Sequence, residues 1–253
     1  MKTSNKLLIG LAAIFLLALI AIMTTIRSYA SKPFANKGDR KEFTRTHTEP
    51  IIATQFDLGH NNRYFLDSEM EGIKINGPKY AVQEIQYSNS SSLAFTYSDT
   101  TNANQKELKI TIGTKNLPIE KIAVNGNALC ESDRYPYPIT NITVGGNATL
   151  RKFYVASSEV SITIGGNAKA TIQADADQIN TTVQGNSDLY FKNESIINRM
   201  DVNVGGNASV DAEKVNYLSG RVGGNAKLDV DNVMKEGNVK TSGNGRDRSN
   251  YPN

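Results

Sequence analysis

The chain has 253 residues and a formal net charge of +3, but the charge is unevenly distributed. Residues 1–50 contain eight Lys and Arg against three acidic residues, whereas the rest contains 20 basic and 22 acidic residues and so lacks the positive excess of nucleic-acid-binding domains. The single cysteine, Cys130, excludes an intrachain disulfide and a cysteine-based metal cluster.

An uncharged apolar run of 20 residues occupies positions 7–26. As a helix it would span roughly 30 Å, the thickness of a hydrocarbon core. We therefore predict one transmembrane helix, a signal anchor over residues 1–30, with the membrane as a partner through residues 7–26. Basic residues flank the run on both sides, so charge alone does not fix its orientation.

A short charged tail ahead of a long domain is the usual layout of a signal anchor, which favours a periplasmic domain anchored to the inner membrane. Ser28-Tyr29-Ala30 resembles a small-x-small cleavage site. Cleavage after Ala30 would instead release the domain for export to the cell surface. Either route places the protein in the cell envelope.

Residues 31–49 are polar and contain Pro33 and Gly38, which is typical of a linker. Residues 50–118 form a predicted N-terminal β region without helical periodicity. Its strand-like runs are rich in β-branched and aromatic residues and are separated by Asn, Ser, Gly and Thr clusters. The runs cover residues 51–58, 72–76, 80–87, 93–97 and 106–112.

A Gly-Gly-Asn-Ala-like unit then recurs about every 20 residues. The shared glycines are Gly126, Gly146, Gly166, Gly185, Gly206, Gly224 and Gly243. A constant period of this length indicates a stacked repeat architecture. We predict an all-β fold in which residues 119–245 form a right-handed parallel β-helix (β-solenoid), with residues 246–253 as a polar tail that is a candidate cap.

Stacking such coils would place like residues over like. Two aliphatic columns are predicted, one through Val144, Ile164, Val183, Val204 and Val222, the other through Cys130, Leu150, Ala170, Leu189, Val210 and Leu228. The corner asparagines would form a ladder of side-chain amides: Asn127, Asn147, Asn167, Asn186, Asn207 and Asn225, with Asn244 after them. An antiparallel sandwich with Gly-Asn hairpins would explain the turns but not the period.

The passage leading into the repeats carries a family resemblance. Residues 108–112 and then Asn-Leu-Pro-Ile-Glu-Lys-Ile-Ala-Val-Asn-Gly-Asn-Ala at 116–128 resemble the signature of the auto-transporter adhesin head domain family, also called the GIN domain. The resemblance covers about residues 50–245 and implies an envelope protein of Gram-negative bacteria. Most corners here read Gly-Gly-Asn-Ala, whereas family members usually carry Gly-Ser-Gly-Asp-type corners.

Four acidic residues, Asp211, Glu213, Asp229 and Asp231, fall at equal offsets after two successive corner glycines. In register they would project outward about 5 Å apart, and the repulsion between them could be relieved by a cation such as Ca²⁺. The alternative is a solvated acidic face neutralised by Lys214 and Lys227. No other cofactor is expected.

No catalytic motif accompanies the two histidines, His47 and His60, which we expect to be exposed polar residues. The sequence therefore predicts a non-enzymatic adhesion, binding or structural module. Its partner would be a glycan, a cell-surface protein or another copy of the chain. Two alternatives are a bactofilin-like scaffold that polymerises end to end on the cytoplasmic membrane face and a carbohydrate-active β-helix.

Overall fold

The computed structural model describes residues 42–98, 107–235 and 237–252. The predicted membrane anchor and the first part of the predicted linker lie outside the described residues. In the part of the chain that is described, no helix is long and apolar enough to span a membrane.

The described residues form one short helix, α1 (Lys79–Glu84), and strands that join one sheet. The strands are β1 (Glu42–His47), β2 (Gln55–Leu58), β3 (Arg63–Asp67), β4 (Ile73–Pro78), β5 (Ile85–Asn89), β6 (Ser92–Tyr97), β7 (Lys109–Gly113), β8 (Lys121–Val124), β9 (Leu129–Ser132), β10 (Pro136–Tyr137), β11 (Asn141–Val144), β12 (Thr149–Ala156), β13 (Glu159–Ile164), β14 (Lys169–Val183), β15 (Asp188–Phe191), β16 (Ile196–Val204), β17 (Ser209–Val215), β18 (Tyr217–Val222), β19 (Lys227–Val233), β20 (Asn238–Thr241) and β21 (Arg246–Asp247).

The β-solenoid prediction is confirmed. In each repeat one strand precedes the glycine corner and one follows it, and both pair in parallel with their counterparts in the neighbouring coils. Both aliphatic columns are in register: Val144 pairs with Ile164, and Leu150 pairs with Cys130 and Ala170. These side chains are buried, so the apolar faces of the coils form one core.

Close approach of the coils explains the glycine at each corner. Gly166 has a φ of 82°, and an added Cβ would lie 2.6 Å from the carbonyl oxygen of Gly146 in the coil below. Because that neighbour is backbone, it cannot move aside without disturbing the ladder. The corner therefore requires glycine for its left-handed conformation and for the stacking distance.

A continuous chain of amide hydrogen bonds runs beside the glycines. Each corner asparagine from Asn147 onward donates from Nδ2 to Oδ1 of the asparagine in the previous coil, at 2.9–3.1 Å. The chain links Asn127, Asn147, Asn167, Asn186, Asn207, Asn225 and Asn244. Each inner amide is thus both donor and acceptor, which favours one register between coils.

The first coils do not stack in chain order. β2 pairs in parallel with both β6 and β8, and β3 pairs in parallel with both β7 and β9. The coil made by β2 and β3 therefore lies between two later coils, the one made by β6 and β7 and the one made by β8 and β9. The described residues between positions 50 and 118 share the sheet and core of the repeats.

Two local expectations for the N-terminal region are wrong. The strand predicted over residues 80–87 is helical up to Glu84, with Ala81 and Val82 buried against the core. The linker predicted over residues 31–49 ends too late, because β1 pairs antiparallel with β4. Tertiary packing decides both segments, since neither shows a clear periodic pattern by itself.

The last coil replaces the aliphatic columns with polar residues. Thr241 pairs with Val222, and Asp247 pairs with Leu228. The backbone N–H groups of Arg248 and Asn250 donate to the carbonyls of Leu228 and Val230, at 2.9 Å each, so the polar tail continues the ladder. A further coil stacked here would meet Thr241 and Asp247 instead of an apolar surface.

Cys130 is a buried core thiol, as its column position predicts. Burial, and secondarily the charge of Glu131, raise its pKa. We expect this thiol to be unreactive toward Ellman's reagent in the folded chain and to react stoichiometrically in 6 M guanidinium, because the thiolate is the nucleophile. Rapid labelling under native conditions would contradict the placement.

Candidate ligand cleft and acidic face

The four acidic residues predicted as a cation site all lie within two neighbouring strands, Asp211 and Glu213 in β17 and Asp229 and Asp231 in β19. Asp211 and Asp229 are in register. Lys227 Nζ lies 2.7 Å from Asp229 Oδ2 and 3.8 Å from Asp211 Oδ1. This geometry favours neutralisation by Lys227, and among the described residues no three His, Cys, Asp or Glu side chains form a group that could hold a metal ion.

Partial burial raises the pKa of Asp211, and Lys227 opposes this shift while Asp229, Asp188 and Asp231 add to it. Because the pKa of Asp211 is raised in the folded chain, ionisation of this carboxyl group lowers the free energy of unfolding at pH values above the raised pKa. This loss disappears when the pH falls below the ordinary pKa of an aspartate, because the group is then protonated in both the folded and the unfolded chain. We expect Lys227→Gln to destabilise the chain at pH 7 by about 1 kcal/mol or less, since the groups are partly exposed.

The loss of stability caused by Lys227→Gln should become smaller as the pH is lowered from 7 to 4. Urea titrations in EDTA at these two pH values would measure the difference. The same titrations with Ca²⁺ in place of EDTA test the predicted cation site. A calcium-dependent gain in the parent chain that disappears in Asp211→Asn would favour the site over the neutralised pair.

Both histidines are half-buried, so their predicted exposure is wrong. The His47 ring lies edge-on to Tyr87 with centroids 5.0 Å apart, and burial and Arg45 lower its pKa. His60 Nε2 lies 3.1 Å from the carbonyl oxygen of Phe95. His60 also occupies the left-handed corner position beneath Gly126, with a φ of 67°, and so has a structural role.

A cleft that the sequence did not reveal lies where the turn after β3 meets the loop between β9 and β10. The two segments are far apart along the chain, but they are adjacent because β3 and β9 pair in parallel up to Leu66 and Ser132. Two aromatic side chains line the cleft, Phe65 at 37% exposure and Tyr135 at 49%.

The Asp133 carboxylate ties the two segments together. Its Oδ2 accepts the Ser68 backbone N–H at 2.6 Å, and its Oδ1 accepts the Tyr135 N–H at 3.1 Å and the Tyr137 hydroxyl at 3.3 Å. Burial alone would raise the pKa of Asp133, but these hydrogen bonds outweigh it and hold the pKa below its ordinary value. The carboxylate is therefore a fixed anionic anchor at neutral pH.

Tyr137 supports the cleft from beneath. Its side chain is fully buried, and its ring stacks on Phe153 with centroids 5.7 Å apart. The Tyr135 ring lies edge-on to the Tyr137 ring, with centroids 5.3 Å apart. The Tyr137 hydroxyl lies 3.0 Å from Thr114 Oγ1. Tyr135 is thus exposed on its outer side while its inner edge is held by packing.

Charged groups surround the two exposed rings. Asp67, Glu69 and Arg134 line the cleft with them. Arg134 has a φ of 68°, a conformation that costs a non-glycine residue roughly 1–2 kcal/mol. The loop retains this strained residue, whose guanidinium supplies fixed-geometry donors to the cleft.

One half of the cleft is an irregular segment, Asp133-Arg134-Tyr135-Pro136-Tyr137-Pro138, within a coil of ordinary length. Two tyrosines and two prolines together have no counterpart in the later repeats. This departure from the repeat pattern is the feature of the sequence that could have indicated the cleft. The other half of the cleft, around Phe65, could not be paired with it before the stacking order was known.

Comparison with known proteins places the chain in a family. The profile of "Putative auto-transporter adhesin, head GIN domain" matches residues 59–245. The chain belongs to this family. The match begins at Gly59, immediately before the His60 corner, so it includes β3 and every glycine corner but not β2. No curated protein matches the chain.

Solved structures described as putative adhesins share the fold. One from Parabacteroides distasonis is 16% identical with a TM-score of 0.61, covering 85% of this chain and 94% of its own. One from Parabacteroides merdae is 13% identical with a TM-score of 0.58 and covers 84% and 97%. A third, from Bacteroides fragilis, is 13% identical with a TM-score of 0.55 and covers 85% and 96%. At these identities the likeness establishes the fold alone.

Proposed function

We propose that the chain is a non-enzymatic binding head of the cell envelope, tethered through residues 7–26, and that the cleft beside Phe65 and Tyr135 binds a carbohydrate. The observation that carries the proposal is the pair of exposed aromatic rings held in one cleft among carboxylates and a guanidinium. Membership of the adhesin head family supports an adhesive role.

The chemistry of the cleft suits a sugar ring better than a purely apolar ligand. Aromatic faces pack against the C–H groups of a pyranose, while its hydroxyls require donors and acceptors at the rim. Arg134 supplies donors, and Asp67 and Glu69 supply acceptors. A rigid cleft also lowers the entropic cost of binding, because few groups must be ordered when the ligand arrives.

The solenoid provides the rigid support. The core is continuous through stacked coils, and the corner ladder links seven of them by amide hydrogen bonds. A site built on the outer face of such a scaffold keeps its shape when the ligand is pulled. That property is useful to an adhesin, whose ligand is attached to a surface.

We expect Tyr135→Ala and Phe65→Ala each to weaken carbohydrate binding by about tenfold or more, since each removes a ring face from the cleft. Glycan-array screening of the full chain would identify a ligand, and calorimetric titration would measure the variants. Tyr190→Ala is the matched control, because Tyr190 is 43% exposed on β15, outside the cleft.

The proposal fails if the control loses as much affinity as the cleft variants, or if no glycan on the array binds. Turnover of a bound glycan by the parent chain would instead favour the carbohydrate-active alternative. Protease protection of the domain in intact cells, in cells with a permeabilised outer membrane and in lysed cells tests the tether. Protection until the inner membrane is opened would favour the cytoplasmic scaffold.

A further inference from the structure

The C-terminal end of the solenoid carries a basic corner, defined here as Arg221, Lys227, Lys240, Arg246 and Arg248. Arg221 in β18 is in register with Lys240 in β20, and Lys227 in β19 is in register with Arg246 in β21. Adjacent strands lie about 4.8 Å apart, so each pair places two positive charges side by side. Like charges directly opposite each other destabilise a sheet.

The only other in-register pair of basic residues among the described strands, Arg63 and Lys109, is accompanied by Glu107, which forms an ion pair with Arg63. Arg221 and Lys240 stand two residues before the first residue of their corners, and Lys227 and Arg246 stand two residues after the corner asparagine. In each earlier coil these two positions hold at most one basic residue. From the first coil onward these pairs are Asp57 and Arg63, Ala123 and Leu129, Thr143 and Thr149, Thr163 and Lys169, Thr182 and Asp188, and Asn203 and Ser209. Positive charge therefore accumulates on one corner at one end of the rod.

Most of this charge is not neutralised within the chain. Lys227 is paired with Asp229 and Asp211, but Arg221, Lys240, Arg246 and Arg248 are exposed and have no ion-pair partner among the described residues. Asp201 and Asp247 lie nearby and are bound by uncharged donors, without forming an ion pair with these four cations. Asp247 accepts the Tyr251 hydroxyl at 2.6 Å and the Ser249 N–H at 3.0 Å, and Asp201 accepts the Ser219 hydroxyl at 2.9 Å.

Uncharged hydrogen-bonding groups lie between the two rows of cations. Asn225 and Asn244 line the same hollow as Lys227, Arg246 and Arg248. Arg221 and Lys240 lie in a second hollow on the other side of the corner. A ligand that satisfies both sides must carry several anionic groups along a chain, with hydroxyl-like groups between them.

We propose that this basic corner is a second binding site, distinct from the aromatic cleft, for an anionic polysaccharide bearing sulfate, phosphate or uronate groups. Arginine and lysine on adjacent rungs bind successive anionic groups, and the corner amides bind intervening hydroxyls. Nucleic acid is the less favoured ligand, because the chain after residue 50 has 20 basic and 22 acidic residues and lacks the positive excess typical of nucleic-acid-binding domains.

The test uses the full chain in mild detergent with heparin as the probe, neutral dextran as the uncharged counterpart, and binding measured at 0.05 and 0.15 M NaCl. We expect heparin to bind and dextran not to bind, with affinity falling as salt screens the exposed charges. The triple variant Arg221→Gln, Lys240→Gln and Arg246→Gln should bind heparin about tenfold or more weakly at 0.15 M and show a weaker salt dependence.

The matched control is Lys74→Gln, Lys109→Gln and Lys121→Gln, which removes the same charge from exposed positions in early coils. This triple should keep the affinity of the parent chain. Equal losses in both triples would show attraction by net charge and overturn the site, as would preferential binding to duplex DNA or to vesicles with anionic lipids. Tyr135→Ala should leave heparin binding unchanged, so failure here is separable from failure of the cleft.

Discussion

We expect Gly166→Ala to lower the free energy of unfolding by about 3 kcal/mol or more, which for a chain of this size is roughly 6–12 °C in melting temperature. The left-handed conformation at Gly166 costs an alanine roughly 1–2 kcal/mol. The added methyl group would also lie 2.6 Å from the Gly146 carbonyl oxygen and 3.1 Å from its nitrogen. The stack must open at this rung to accept it.

Gly165→Ala is the control, one residue earlier in the same corner. A Cβ at Gly165 meets nothing within 4 Å and its φ is outside the left-handed region. Alanine there should be neutral or stabilise by roughly 0.4–1 kcal/mol through lower unfolded-state entropy. Urea titration of both variants measures the difference. Equal effects of the two substitutions would show that stacking distance does not decide which corner glycine is required.

These paired glycines illustrate what the sequence could predict. The second glycine of each corner recurs with a fixed interval, and the residues on either side of it alternate between buried and exposed. Local turn chemistry and a constant period are properties of the sequence itself, so the parallel stack, both aliphatic columns and the amide ladder follow from them. The structure places Val144 over Val124 and Asn147 over Asn127 accordingly.

The beginning of the solenoid was harder to predict because its corner, Gly59-His60-Asn61-Asn62, lacks the second glycine and the alanine of the repeat. His60 takes the left-handed position, and the buried Asn62 occupies the place of the later alanines. Asn62 Oδ1 accepts the Tyr97 hydroxyl at 2.6 Å, a contact with a coil that comes later in the chain but stacks before it. A stacking order that differs from chain order leaves no periodic signal in the sequence.

The cleft depends on the same long-range arrangement. Phe65 and Tyr135 line one cleft only because β3 lies directly beside β9, a pairing across more than 60 residues. The acidic cluster, by contrast, was predictable in position because it follows the repeat. Its chemistry was less predictable, since the direction taken by the Lys227 side chain decides whether the carboxylates are neutralised from within the chain.

The second large effect is expected from Tyr137→Ala, which should cost about 3–5 kcal/mol by leaving a cavity where a buried aromatic ring stood. It removes the stacking partner of Phe153 and the inner support of Tyr135. It also deprives Thr114 of its hydroxyl partner. Carbohydrate binding at the cleft should therefore be lost even at temperatures where the variant remains folded.

Two controls separate support of the cleft from general stability. Tyr137→Phe keeps the ring and loses only hydroxyl contacts, so it should cost about 1 kcal/mol and retain binding. Phe191→Ala removes another fully buried ring, in the coil formed by β15, and should lower stability to a similar extent while leaving cleft affinity intact. Loss of binding in the Phe191 variant would show that the cleft depends on the whole stack rather than on Tyr137.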